Sequence, residues 1–422
     1  MMKLVYSTCC GADVHKNLIV ATIVSTNEIG ISTYLQKSFS TFNYDIVCFH
    51  DWLIENHCYH VCMESTGKYW IPIFNYLEKD IFICLTHPKY VKAIKGKKTD
   101  KKDSKWIADL FKFDLVRNSY IPDKPIRELR EIARYRYKLV CMKSSEKNRV
   151  QNCMTVSNIG VASVLSDPFG ITATQIISYL LTSDEFDEKH CRTLIKGQAR
   201  AKSDKIIDSI KGFQIESDQR LKLEIARDHL TYLEHAICKT EVELYVRIKP
   251  YWHFIEYISA MPGMSDLSAT ILLAEIGVDM TIFEDAKQLT SWAGLAPACN
   301  ESGGKKKSSR ISKAGQYLKP MLVQCALAAI KSKKEPYFAR KYQRIKSRRG
   351  HKKAIIAIAR MMLVCIFHMI AEDSPFEPND YDELSNPQDT ELKVVLNEKN
   401  VFFFLQMHGY NTSMLQKTCD DI

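Results

Sequence analysis

The first ninety residues alternate short runs of β-branched and apolar residues with runs whose apolar residues recur every three or four positions. No other feature restricts the fold as much. Strands and helices that take turns along a chain pack as layers, with helices covering a sheet. "GADVHKNLIVATIVS" (11–25) reads as a strand, and "STYLQKSFS" (32–40) as its neighbour. "NYDIVCFHDWLIENH" (43–57) has helical spacing, "YHVCME" (59–64) is a short buried strand, "WIPIFNYLEK" (70–79) a helix and "IFICLTH" (81–87) another strand. A basic stretch from Tyr90 to about Ala108 reads as loop followed by helix. The helix continues over 109–123 and ends near Pro122.

Beyond this point the period stays helical. Residues 125–159 read as one long amphipathic helix, and Thr174 to about Lys249 is largely helical. The part from Gln214 to Ile248 has no Gly or Pro, and its Leu221, Ile225, Leu230, Leu233, Ile237, Val242 and Leu244 form a ragged apolar stripe. Two readings fit it: a coiled-coil arm through which copies of the chain pair, and a plain intramolecular bundle. A further compact unit begins near Tyr257. The Gly/Ser/Lys-rich "ACNESGGKKKSSRISKAGQYLKPML" (298–322) reads as a loop entering a helix, and basic helices follow to about Met369. From Ser374 the chain is acidic and turn-rich, with "VVLNEKNVFFFLQM" (394–407) as a small docked strand or helix. The expected division is 1–125 (α/β), 126–250 (helical, coiled-coil-like), 251–373 (mainly α-helical) and 374–422 (an acidic tail).

Charge narrows the partners. The formal net charge is +10, and it is concentrated. From Lys305 to Arg360 there are eighteen Lys/Arg and one acid, Glu335; from Lys89 to Lys105 there are eight lysines and two aspartates. Two basic blocks of this kind point to a polyanion such as nucleic acid. The fourteen cysteines are scattered, without zinc-site spacing, and read as reduced thiols of a cytoplasmic protein. No apolar run reaches about 18 residues, so no membrane partner is expected. "MMLVCIFHMI" (361–370) reads as a buried helix segment.

Four acids lie near strand ends and a helix start. Asp13 sits in "GADVHK", Glu64 ends a short apolar strand, and Asp100 and Asp103 lie one helical turn apart. Carboxylates from two strands and a helix can converge at one end of a sheet. Hard divalent cations take such oxygen ligands, and a pair of them stabilises both the attacking and the leaving oxygen in phosphoryl transfer. Taken singly, each acid also suits a plainer role. Asp13 could serve a turn, Glu64 a cap or the surface, and the two aspartates could pair with the lysines around them.

"GADVHK", "MESTGKYW" and "KTDKKDSKWIADL" together resemble the RuvC-like (RNase H-like) domain of the DEDD transposases of insertion sequences, a family that includes bridge-RNA-guided recombinases. "MPGMSDLSATILLAEIG", "FEDAKQLTSWAGLAP" and "NESGGKKK" resemble that family's second domain. The likeness runs from about Leu4 to Ala371 and leaves the acidic tail outside. It implies an α/β RuvC-like N-terminal domain, a helical or coiled-coil middle and a mainly α-helical C-terminal transposase domain. It implies a DNA transposase in which Asp13, Glu64, Asp100 and Asp103 hold Mg2+. It also implies donor and target DNA, an element-encoded guide RNA, and a homo-oligomer (dimer or tetramer) in a prokaryotic cytoplasm.

The family's nucleophilic serine corresponds to Ser302 in "CNESGGKKK". A serine hydroxyl can attack a DNA phosphate and hold it as a phosphoserine, which keeps the phosphodiester energy for rejoining. Lys305, Lys306, Lys307 and Arg310 would neutralise phosphates there, as Lys97, Lys98, Lys101 and Lys102 would beside the aspartates. On residue type alone, Ser308, Ser309 and Ser312 compete with Ser302, and serines beside glycines commonly serve turns. Two other functions use the same residues differently. A metal-dependent nuclease or Holliday-junction resolvase would use the four acids and leave Ser302 idle. A non-catalytic nucleic-acid-binding protein would use neither.

Overall fold

The computed structural model describes residues 3–88, 91, 99–183, 185–297, 300–302, 305–308, 310–377, 380 and 405, with 300–302 and 305–308 described as backbone. By its internal contacts the chain divides into two compact units, Met1–Glu128 and Leu129–Ile422.

The first unit is the layered α/β arrangement that the alternating pattern predicts. Its strands are β1 (Thr8–Val14), β2 (Leu18–Thr26), β3 (Ser32–Ser40), β4 (His60–Glu64) and β5 (Phe82–Thr86), in the order β3-β2-β1-β4-β5. β1, β2 and β3 are antiparallel neighbours, whereas β1, β4 and β5 run parallel. Helices α1 (Asn43–Glu55) and α2 (Trp70–Leu77) cover one face, where Cys10, Ala12, Val14, Phe49, Leu53 and Met63 are buried together. Helix α3 (Asp100–Phe111) covers the other, over Cys9, Val24, Cys62 and Cys84.

Two boundaries differ from the expected ones. "GADVHKNLIVATIVS" is a hairpin rather than one strand: His15, Lys16 and Asn17 turn the chain back so that Val14 pairs with Ile19. An apolar run on either side of a three-residue polar break hides the turn from a simple strand reading. Helix α3 stops at Phe111 instead of continuing to Pro122. Asp114 takes a left-handed φ of 55°, its amide returns to the Phe111 carbonyl, and the Leu115 amide returns to Leu110.

The second unit holds the expected long helices. They are α4 (Lys124–Val156), which enters it from the first unit, α5 (Val161–Val164), α6 (Ile171–Thr182), α7 (Glu188–Leu194), α8 (Ser203–Asp208) and α9 (Ser217–Ile248). Ion pairs Arg136–Glu241 (2.6 Å) and Lys143–Glu234 (2.8 Å), with a His229–Glu146 hydrogen bond (3.2 Å), make α4 and α9 antiparallel partners. The apolar stripe of α9 splits between two sides. Leu233 and Leu244 are buried, while Leu221, Ile225 and Val242 are exposed.

Next come α10 (Trp252–Ala260), α11 (Asp266–Ile276), α12 (Ala286–Trp292), the strands β6 (Asn300–Ser302) and β7 (Lys305–Ser308), and the helices α13 (Leu318–Ala329), α14 (Tyr337–Arg349) and α15 (His351–Ala371). α15 has the length and composition of a membrane span. It nevertheless packs against α10, α12, α13 and α14, with Ile358, Met362, Leu363 and Ile366 fully buried, as a core helix does. Arg134 on α4 grips Glu275 on α11 through two 2.8 Å bonds, and Arg130 caps the Ala274 and Glu275 carbonyls. The twelve cysteines among the described residues form no disulfide. The segment 394–407 lies outside the described residues, apart from Leu405.

Candidate active site

The site starts with the alternation of β1. Its residues 10, 12 and 14 enter the core beneath α1 and α2, so residues 9, 11 and 13 face α3. At Gly11 the α3 backbone lies directly on the strand. A Cβ there would stand 2.3 Å from both the Ala108 nitrogen and the Ser104 carbonyl oxygen, a space that only glycine leaves open. Polar bonds fix the helix in that position. The hydroxyls of Thr22 and Ser104 meet at 2.8 Å, and the Gln36 amide donates to Thr22 Oγ1 (2.8 Å), Ser104 Oγ (3.2 Å) and the Lys101 carbonyl (2.8 Å).

This packing brings the N-terminus of α3 to the end of β1 that carries Asp13. Thr99 caps the helix by accepting from the Lys102 amide, and Asp100 and Asp103 occupy the first turn, where the helix dipole favours carboxylates. β4 supplies the fourth acid. Ala12 registers with Met63 across the parallel pair, and Asp13 and Glu64 each follow that last pair at the same sheet end. Glu64 Oε1 accepts the Thr66 hydroxyl at 2.9 Å.

The structure brings Asp13 and Asp100 together, with Asp103 in the same helical turn as Asp100 and Glu64 at the same sheet end as Asp13. Asp13 is only 6% exposed. Burial pushes its carboxyl above the usual carboxylate range; His15 pulls it back, and Glu64, Asp100 and Asp103 each push it further up. His15 is a component that the motif reading passed over. The turn after β1 swings its Nε2 to 3.3 Å from Asp13 Oδ2 and 3.6 Å from Asp100 Oδ1. Donor atoms of Asp13, His15 and Asp100 all lie within 4.8 Å of one another. Its position two residues after Asp13 was a signal in the sequence, but only the hairpin turn makes it a neighbour of Asp100. The donor set fits a divalent cation. Several hard oxygens are crowded at a partly dry sheet end, short of positive charge. Lys101 and Lys102 are exposed on the same helical turn, whereas Lys97 and Lys98 lie outside the described residues.

Ser302 belongs to the second unit. The expected loop around it is a β-hairpin, in which Ser302 registers with Lys305 and Asn300 with Ser308. Gly303 and Gly304 lie outside the described residues. A Gly-Gly pair between two short runs is itself a hairpin signal that the loop reading missed. Ser302 is therefore the last paired residue before the turn. The hairpin's base is tied down by a bridge between Pro297 and Ile311. Below it two glycines meet back to back. Gly294 (φ 69°) and Gly315 (φ 70°) would each drive a Cβ into backbone of the other strand's flank, at 2.4 Å from the Ala314 oxygen and 2.1 Å from the Ala293 oxygen. Lys319 Nζ closes the base by donating to the carbonyls of Ser312 (2.7 Å) and Gly294 (3.3 Å). Lys305, Lys306 and Lys307 occupy β7, and Arg310 is exposed just beyond it. Among the competing serines, Ser312 accepts the Ala314 amide in a local turn, Ser308 ends β7, and Ser309 lies outside the described residues.

Both regions match described families. Residues 10–159 match the DEDD transposases of IS110 type, described as "Transposase", and residues 255–343 match "Transposase IS116/IS110/IS902 family". The chain is 30% identical over 148 residues to the "Insertion element IS900 uncharacterized 42 kDa protein" of Mycobacterium paratuberculosis, covering 35% of this chain and 36% of that one. It is 22% identical over 329 residues to the "Probable family 20 transposase" of Pseudomonas aeruginosa, covering 75% and 86%. It is 27% identical over 197 residues to the "Pilin gene-inverting protein" of Moraxella bovis, covering 45% and 56%. The matches to the IS900 protein and the pilin gene inverter thus span about a third and just over half of those proteins. The two matches, over residues 10–159 and 255–343, together span more than half of the chain, and this chain belongs to the DEDD transposases of the IS110 type.

Proposed function

We propose that this protein is a DNA recombinase that excises and inserts a mobile element through a metal-bound DEDD site and a serine nucleophile. The observation that supports the reading is the cluster of Asp13, His15 and Asp100 donor atoms within 4.8 Å of one another, with Asp103 in the same helical turn as Asp100 and Glu64 at the same sheet end as Asp13. In this reading the N-terminal unit is RuvC-like, and residues 251–373 form the domain that presents Ser302. Asp13, Glu64, Asp100 and Asp103 hold Mg2+. When bound, the ions stabilise charge on the attacking and leaving oxygens of a phosphoryl transfer. Lys101, Lys102, Lys305, Lys306, Lys307 and Arg310, with Lys97 and Lys98, attract and neutralise DNA phosphates.

The Ser302 hydroxyl gives up its proton and its oxygen bonds to a DNA phosphorus. The bond from that phosphorus to a deoxyribose oxygen breaks, leaving a phosphoserine and a free DNA hydroxyl. Attack by another strand's hydroxyl reverses the step and returns the serine. Strand exchange therefore needs no external energy source. Donor and target DNA are the substrates. An element-encoded RNA selects them by base pairing, in keeping with the family resemblance and with the logic of other RNA-guided systems. The protein works in the prokaryotic cytoplasm as a homo-oligomer, dimer or tetramer. The exposed Leu221, Ile225 and Val242 of α9 suit contact with a second copy.

The test is an incubation with flanking-element RNA, donor DNA, target DNA and Mg2+, followed by denaturing gels. A denaturant-resistant protein–DNA adduct that disappears in Ser302→Ala supports the serine mechanism. Product without an adduct, and full activity in Ser302→Ala, would show hydrolysis of the resolvase type instead. Cleavage that survives Asp100→Ala with Asp103→Ala removes the metal assignment.

A further inference from the structure

The acidic tail lies beyond residues 10–159 and 255–343 that match the family, and its first residues are seated on α14. Phe376 packs 5.8 Å from the rings of both Tyr337 and Phe338 at the start of α14. Asp380 then reaches the helix itself. Its Oδ1 accepts the Tyr337 hydroxyl at 2.6 Å, and its Oδ2 pairs with Lys341 Nζ at 2.6 Å. Tyr337 is 5% exposed and the Lys341 side chain 17%, so this carboxylate rests in a half-buried notch rather than in open solvent. Burial pushes Asp380 up, but the bonds from Lys341 and Tyr337 outweigh it, and the carboxyl stays below its usual range.

Charge on the two sides is matched. Residues 337–353 contain eight Lys/Arg and no acid, and residues 372–391 contain eight Asp/Glu and no Lys/Arg. Of the basic block, Arg344, Lys346, Arg348, Arg349, Lys352 and Lys353 are exposed on α14 and the first turn of α15. A 13-residue helix is about 20 Å long, enough to follow several phosphates of a duplex, which carries a charge every ~1.7 Å. A surface of this kind attracts polyanions, and the nearest polyanion is the chain's own tail.

We infer that α14 and the start of α15 form a docking surface for the phosphate backbone of duplex DNA, and that the acidic segment anchored by Phe376 and Asp380 competes for it from within the same chain. The inference rests on the proposed DNA recombinase reading. Tail docking lowers apparent DNA affinity by the docked-to-undocked ratio, so a tenfold preference for docking weakens binding about tenfold. Both contacts are electrostatic, and the difference shrinks as salt rises.

The experiment measures binding of the full chain to fluorescent duplex DNA by anisotropy, from about 50 to 200 mM salt. Amide replacement of all eight acids of 372–391 (Asp→Asn, Glu→Gln) neutralises the tail and keeps Phe376; Phe376→Ala undocks the segment. Melting curves check that each variant folds. Both changes are expected to tighten Kd roughly three- to tenfold at the lower salt, with the gap closing at the higher. Arg344→Ala with Arg348→Ala is expected to weaken binding and to shrink the gain from neutralising the tail. Parent-like affinity in the charge-neutralised chain overturns the inference while leaving the recombinase reading intact. A gain for single-stranded RNA but not for duplex DNA also overturns it. A chain that binds no DNA, tail neutralised or not, sinks the inference and the recombinase reading together.

Discussion

Gly11→Ala tests how the carboxylates are brought together. The added methyl would stand 2.3 Å from Ala108 N and Ser104 O, both backbone atoms of α3. Comfortable carbon contacts begin near ~3.5 Å, so α3 has to retreat by roughly 1 Å. No side chain can swing aside to absorb this, and overpacking of that kind costs about 1–3 kcal/mol. The retreat also strains the Thr22–Ser104 and Gln36 bonds that hold the helix. It carries Asp100 and Asp103 away from Asp13, and a misplacement of ~1 Å at a reacting centre can lower rate about a hundredfold. Calorimetry on the full chain should show the earliest unfolding transition several degrees lower, and the cleavage assay a loss near two orders of magnitude. Asp100→Ala is the control, expected to lose cleavage without the stability loss. A Gly11→Ala protein that melts and cleaves like the parent would refute the reasoning, because α3 would then not set the site.

Divalent cation should stabilise the fold, since it relieves repulsion around a buried acid: at a hundredfold excess over Kd the gain is about 2.7 kcal/mol, read as a rise in Tm that EDTA reverses. His15→Ala should weaken Mn2+ more than Mg2+, because an imidazole nitrogen suits the transition metal better, and Mn2+ titration followed by electron paramagnetic resonance measures it. Glu275→Ala leaves the Arg134 guanidinium without its bidentate partner in a mostly buried position and should cost about 3 kcal/mol by urea unfolding. Alkaline pH should destabilise the first unit. Burial pushes the thiols of Cys9 and Cys58 from an ordinary value of 9.0 up to about 12. The unfolded chain therefore releases these protons first; the stability they confer is intact below pH ~9 and falls by about 1.4 kcal/mol per pH unit per thiol as pH climbs toward ~12. A urea midpoint unchanged between pH 8 and pH 10 would contradict this.

The α/β layering was legible because strand and helix periods differ so sharply in the first ninety residues. The two long helices were legible because nothing breaks their period. That Asp13 and Glu64 fall at strand ends and Asp100 and Asp103 in the first turn of a helix was legible from local pattern, whereas their grouping as one metal-binding set rests on the family resemblance. What stayed hidden depended on contacts between distant residues. His15 meets Asp100 only because three polar residues reverse the chain after Val14. The seat of Asp380 on Tyr337 and Lys341 joins positions about forty residues apart, and no spacing rule anticipates it. The Ser302 hairpin was hidden for a different reason. Lysine-rich strands look like loop by composition, and only the Gly-Gly pair marked the turn.

Strand β1 carries two messages in alternate letters. Cys10, Ala12 and Val14 spell out the floor of the core, and Cys9, Gly11 and Asp13 the wall against α3 with its acid. Changing one letter disturbs one message. Adding or deleting a single residue between Cys9 and Asp13 exchanges them, so that the acid enters the apolar layer and a core side chain strikes α3. This short run should therefore tolerate several conservative replacements and no change of length, a frame constraint that the gene must honour even where its individual codons are free to drift.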